Sequence, residues 1–172
     1  TIVAVTGLAQ GKRAAEYLIS SYCQENKINH SIFRCFSFSG FGIPLNLHYA
    51  LGNFVRDAMD GKDIVIEGTG RDLRSYLHLG DLSWIITHSL FTATDHSLYN
   101  VGGIHPISIY DLAEKVRRLI NNKIKIVIKN KDNRIGNETI SSYIPNTKRL
   151  LRDFKFVPKT LEYSIRTMTD KV

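Results

Sequence analysis

Ile64-Val65-Ile66-Glu67-Gly68-Thr69-Gly70, followed three residues on by Arg74-Ser75-Tyr76-Leu77-His78-Leu79-Gly80-Asp81-Leu82, sets two kinds of local structure side by side. The β-branched triplet predicts a short strand, and the Gly-Thr-Gly run a tight turn. Residues 75–79 read as extended, and Asp81 as the cap of a helix carrying Trp84, Ile85, His88 and Leu90. Upstream, Asn53 is the expected cap of a helix through Val55 and Met59 that Gly61 stops. Before it, residues 31–38 form a strand closed by Gly40-Phe41-Gly42-Ile43-Pro44. Residues 12–25 are helical, with Ala15, Leu18, Ile19 and Tyr22 at three- and four-residue steps. Residues 1–6 read as a buried strand ending at Gly7. Downstream, residues 98–101 are a strand running into Gly102-Gly103. Ser108 opens a helix with Asp111 three residues on and a core stripe of Leu112, Val116, Leu119 and Ile120. Residues 123–129 alternate Lys with Ile or Val, a half-exposed strand. Residues 130–137 are a polar loop, and 147–153 and 161–169 short helices. Strands alternating with helices define an α/β chain with a largely parallel sheet.

The chain has 172 residues, 43% hydrophobic and 23% charged, the balance of a soluble globular protein with one ordinary core. Its apolar runs are too short to cross a bilayer, and the opening residues lack the features of a signal peptide, so the expected location is cytoplasmic and off the membrane. Two cysteines, Cys23 and Cys35, give neither a disulfide framework nor a metal signature and are expected to pack as small buried hydrophobes. The six histidines never fall at helical ligand spacing, so no metal is expected. The net charge of +7 is spread along the chain, which fits a solvated surface with a few phosphate-binding arginines better than a nucleic-acid groove.

Thr6-Gly7-Leu8-Ala9-Gln10-Gly11-Lys12 admits three readings. A phosphate loop fails, because three residues separate the glycines and Arg13 stands where Ser or Thr is needed. A dinucleotide fingerprint lacks its further glycine. The third reading, the start of an active-site helix, rests on the blocks that follow. Ile32-Phe33-Arg34-Cys35-Phe36-Ser37-Phe38-Ser39-Gly40 resembles the strand and nicotinamide loop of the extended short-chain dehydrogenase/reductases. Residues 46–54, from Asn46-Leu47-His48 to Asn53-Phe54, resemble the sugar-nucleotide segment of one branch. The quoted 64–82 stretch and Tyr99-Asn100-Val101-Gly102-Gly103 with Ile107-Ser108-Ile109 resemble two more of its blocks, in order and at the right spacing. The resemblance covers about nine tenths of the chain and is to the NAD-dependent nucleotide-sugar epimerase/dehydratases.

That resemblance implies a chain made of the last part of a Rossmann-like parallel-sheet domain plus a small α/β substrate-binding domain. Residues 1–42 would be the remnant of the NAD-binding domain. Residues 43–172 would be the sugar-nucleotide region, with 81–103 returning to the Rossmann sheet. It implies NAD as cofactor, a nucleoside-diphosphate sugar as substrate, and a homodimer through helix 12–25. Such enzymes use a Tyr-x-x-x-Lys pair, in which the lysine's charge lowers the phenol pKa for proton transfer. Lys12 holds the lysine position, as catalytic and cofactor-binding residue, but Leu8 holds the tyrosine position and has no proton to move. A piece of a longer enzyme, a degenerate paralogue, or another group acting as base would each account for that. Phe36 and Ser37 fall at the nicotinamide loop, with Ser37 also facing the sugar. Arg74 and Arg134 fall at the diphosphate arginines, and His48 and Asn53 where diphosphate and nucleoside are contacted. Surface placement of both arginines, and a purely capping role for Asn53, remain open at this level.

Overall fold

The computed structural model describes residues 4–47, 49–92, 97–129 and 140–170. Parallel pairing dominates, as the alternation requires. Strand β1 (Ser31–Cys35) pairs with β6 (Ser97–Val101), β2 (Phe38–Ser39) with β5 (Leu77–His78), and β3 (Ile64–Ile66) with β8 (Ile126–Ile128), all in parallel. Strand β4 (Leu73–Arg74) lies between β7 (Ile107–Ser108), antiparallel, and β9 (Ser142–Tyr143), parallel. The described strands thus form four small sheets where the sequence predicts one largely parallel sheet.

Two cores hold these sheets. In the first, α2 (Ala50–Met59), α4 (Ile109–Ile120) and α6 (Leu161–Thr169) cover β3 with Leu51, Val55, Ile64, Leu112, Val116 and Ile165. The second joins β5, β6, α3 (Leu79–Ser89) and α5 (Lys148–Phe154) through Leu77, Ile85, Tyr99, Val101, Leu150 and Phe154. At their junction Gly103 meets the main chain of Tyr76. A Cβ added there would lie 2.4 Å from the Tyr76 backbone nitrogen and oxygen, so no larger residue fits.

Helix α4 starts as its sequence demands: the Ser108 hydroxyl accepts from the Asp111 N–H at 3.0 Å. Ser108→Ala is expected to cost about 1 kcal/mol, read as a shift of the urea midpoint with an unchanged slope. Two other starts differ from the sequence expectation. Helix α2 begins at Ala50 with Tyr49 as its cap, which makes no side-chain bond, and Asn53 sits in its first turn. Helix α3 is capped by His78, whose ring accepts from the Gly80 N–H at 2.9 Å. Asp81 is left to bind the Lys159 backbone N–H at 2.8 Å and its Nζ at 2.6 Å.

The largest correction lies at the beginning. Residues 4–6 belong to α1 (Ala4–Glu25), a helix of 22 residues, and Gly7 lies inside it instead of ending a strand. Strand propensity is realised only against a partner strand, whereas an existing helix gains one backbone bond for each residue it adds. This extension wins although Gly7 and Gly11 each cost about 1 kcal/mol in a helix. The helix stands off the rest of the chain, with Leu8, Leu18, Ile19 and Tyr22 exposed. Among its ties are the buried Cys23, a bidentate pair from Arg34 to Glu16 at 2.8 and 2.6 Å, and Ser20 Oγ at 3.2 Å from His30 Nε2. Cys35, expected to be buried, is exposed at the end of β1. Among the described residues no helix is long and apolar enough to cross a membrane, and no group of three or more His, Cys, Asp or Glu could hold a metal ion.

Candidate functional site

Helix α2, the β3 turn and strand β4 enclose a groove made of two adjoining cavities. One, about 370 Å³, is lined by Phe36, Ser37, Tyr49, Arg74 and Tyr76 among others. The other, about 440 Å³, is lined by Asn53, Arg56, Glu67, Thr69 and Asp72 among others. Ala50 and Ile109 border both, so the two are neighbours along the first turns of α2.

Arg74 reaches this groove from β4. Its side chain is 26% exposed. Nη1 donates to the Leu73 carbonyl at 2.8 Å and to the Ser141 carbonyl at 3.2 Å, while Nη2 lies 3.6 Å from Asp72 Oδ2. These contacts fix the guanidinium plane without using all of its five N–H donors. Neighbouring Tyr76 has its phenol pushed up to about 12 by burial, with the Arg74 charge opposing the shift, so it stays protonated at neutral pH. Phe36 packs on Tyr143 with ring centroids 4.7 Å apart, which gives that end of the groove an aromatic wall.

At the other end the Asn53 carbonyl accepts from Arg56 Nη1 at 3.2 Å, and Arg56 also binds Asp57 at 2.8 Å and the Leu45 carbonyl at 3.2 Å. Asn53 is therefore a groove-lining side chain and not the helix cap. Arg56, Tyr49 and Asp72 are groove residues that sequence reasoning did not single out, and Tyr76, expected to pack in the extended segment, lines the groove as well. The i, i+3 spacing of Asn53 and Arg56 on α2, and the i, i+2 spacing of Asp72 and Arg74 in an extended segment, were the signals that could have found two of them.

The structure thus brings together Phe36, Ser37, Arg74 and, next door, Asn53. It does not bring in Lys12, which is exposed on α1 and lines neither cavity. Leu8, one turn earlier on the same helix, is 69% exposed. His48 and Arg134 lie outside the described residues.

Parallel strand pairs packed against helices, with a groove beside the start of α2, make this an α/β chain of Rossmann-like type. The chain belongs to the NAD dependent epimerase/dehydratase family, whose model matches residues 4–102. Among curated proteins it is 28% identical over 117 residues to UDP-glucuronic acid decarboxylase 3 of Arabidopsis thaliana, covering 68% of this chain and 34% of that one. It is 28% identical over 105 residues to the dTDP-D-glucose 4,6-dehydratase of Dictyostelium discoideum, covering 61% and 24%. The chain therefore matches about a third or less of the length of these relatives. Among solved structures, UDP-N-acetylglucosamine 4-epimerase from Methanobrevibacter ruminantium M1 superposes with a TM-score of 0.79 at 18% identity, over 93% of this chain and 51% of that one. UDP-glucose 4-epimerase from Thermotoga maritima gives 0.78 at 15% identity, over 91% and 50%. These likenesses bear on the fold.

Proposed function

We propose that the chain is the sugar-nucleotide-binding part of an NAD-dependent epimerase or dehydratase and is impaired on its own. In this reading residues 1–42 are the end of the NAD-binding domain. Residues 43–172 are the substrate region, with 81–103 returning to the Rossmann sheet through the β1–β6 pair. The observation that carries the proposal is the part-buried Arg74 guanidinium in the wall of the groove, aimed by two carbonyls and flanked by a second cavity large enough for a nucleoside. A pyrophosphate is best held by planar, charge-assisted donors. Arg74 is the diphosphate ligand, with Arg134 as the second arginine. In this reading His48 and Asn53 contact the diphosphate and nucleoside, and Ser37 the sugar.

NAD, when bound, supplies the hydride acceptor. Phe36 and Ser37 at the groove's aromatic end suit its nicotinamide side, with Lys12 on α1 for the ribose. Leu8 leaves the proton transfer without a phenol, which is why the chain alone is read as impaired. The exposed Leu18, Ile19 and Tyr22 fit a homodimer through helix 12–25. A second reading, a sugar-nucleotide-binding or dimerisation module without catalysis, is favoured by two observations: Leu8 stands in the tyrosine position, and Lys12 lines neither cavity.

Thermal unfolding with UDP-, dTDP- and CDP-sugars, each with and without NAD, tests both. A ligand present at roughly a hundred times its Kd adds about 2.7 kcal/mol, or roughly 5–10 °C for a chain of this size. A shift with a sugar nucleotide that NAD does not alter supports the binding module. A further shift with NAD supports the enzyme part. No shift with any sugar nucleotide overturns both.

A further inference from the structure

His78 sits where three parts of the molecule meet, and each contact uses a different edge of its ring. Nδ1 accepts from the Gly80 N–H at 2.9 Å and so caps α3. Nε2 lies 3.4 Å from the Thr167 hydroxyl of α6, which itself donates to the Ser164 carbonyl at 2.8 Å and is left to accept from the ring. The flat face lies under Gly40, where an added Cβ would be 2.6 Å from His78 Cδ2; Gly40 has φ +107 and follows Ser39, the β2 partner of His78. The Tyr163 ring closes the remaining side at 5.3 Å. The residue is 8% exposed.

The Gly80 contact requires an unprotonated Nδ1, and the Thr167 contact a proton on Nε2, so together they select the neutral ring. A second proton on Nδ1 would set one N–H against another, remove the cap, and put a positive charge at the positive end of the α3 dipole. The charged and titratable groups around the ring do not offset this. Asp81 on α3 favours the charged ring but is bound to Lys159, whose ammonium opposes it, and α6 presents the Tyr163 ring. Burial acts in the same direction and holds the ring below the ordinary histidine range.

We propose that His78 is a proton-sensitive tie. Neutral, it caps the start of α3 while packed between the glycine turn at residue 40 and α6; protonated, it gives up that cap and loosens the packing against the residue 36–43 wall of the groove. The sign follows from the lowered folded-state pKa. The stabilisation is complete above the free-histidine value of about 6.5 and is lost as pH falls from there through the folded pKa.

Hydrogen exchange of the whole chain at pH 7.5 and pH 5.5, corrected for the intrinsic pH dependence of exchange, tests this. The Gly80 amide and segment 36–43 are expected to exchange faster at pH 5.5. The limiting gain is about tenfold for each unit by which the His78 pKa, measured from its own NMR titration, lies below the free value. His78→Asn, a non-titrating cap, is expected to flatten that dependence. The proposal is overturned if Gly80 protection is unchanged between the two pH values, or if H78N shows the same acid-induced loss. If H78N does not fold, the wild-type titration decides: a His78 pKa at or above the free value overturns the tie, and one below it accompanied by faster Gly80 exchange supports it.

Discussion

Arg74→Ala is expected to weaken binding of UDP-glucose, measured by calorimetry at a temperature where both proteins are folded, by ten- to a hundredfold. The net loss of one hydrogen bond to a charged partner, about 1.5–3 kcal/mol, corresponds to that range, and the two-point engagement of a diphosphate by a guanidinium adds geometric specificity. Arg74→Lys should recover little, because an ammonium offers a point charge in place of a fork. The contact of Arg74 to the Ser141 carbonyl also helps hold β4 to the segment entering β9, so a modest fall in stability will accompany either change. The two effects separate cleanly, since a structural role alone would lower the melting temperature and leave the affinity of the folded protein as it was. Unchanged affinity in the folded Arg74→Ala protein would remove the main support for a diphosphate site.

Phe154→Ala should be the most destabilising single change in the second core. Phe154 is 5% exposed and its ring lies 5.2 Å from Tyr99, 5.9 Å from His88 and 6.4 Å from both Phe33 and Trp84. Truncating such a ring removes its transfer energy and leaves a cavity that four rigid neighbours cannot collapse into, for a loss of about 3–5 kcal/mol. In a chain of this length that lowers the melting temperature by roughly 10 °C. Phe91→Ala is the control: Phe91 is 82% exposed, and its loss should stay within about 0.5 kcal/mol. Equal effects of the two changes would mean that α5 does not close this core.

Elements with a strong local signal were legible in the sequence. Ile64–Ile66, the Ser108-capped α4 and the final helix Leu161–Thr169 lie where periodicity and capping chemistry put them. Features set by distant partners were not. Asn53 and Asp81 carry capping side chains, but Asn53 is engaged by Arg56 and Asp81 by Lys159, which leaves Tyr49 and His78 at the helix starts. The strand expected over residues 1–6 gave way to α1 over residues 4–6. Of the residues the resemblance named, Phe36, Ser37, Asn53 and Arg74 line the groove, because those blocks fix the backbone that carries them. Tyr76 reads from the sequence as packing in the extended segment, and Arg56 as a solvated helix arginine, until a cavity is seen beside them.

The strand pairings described above join residues far apart in the chain: Ser31 meets Ser97, Ile64 meets Ile126, and Leu73 meets Ser142. Helices α2, α4 and α6 are built from neighbours, but every parallel ladder must wait for a long stretch of intervening chain to be synthesised and gathered. Refolding from denaturant should accordingly show helical ellipticity recovering well ahead of the burial of Tyr99 and Phe154. The order of events in time is then the reverse of the order in which an eye tracing the sheet would draw it.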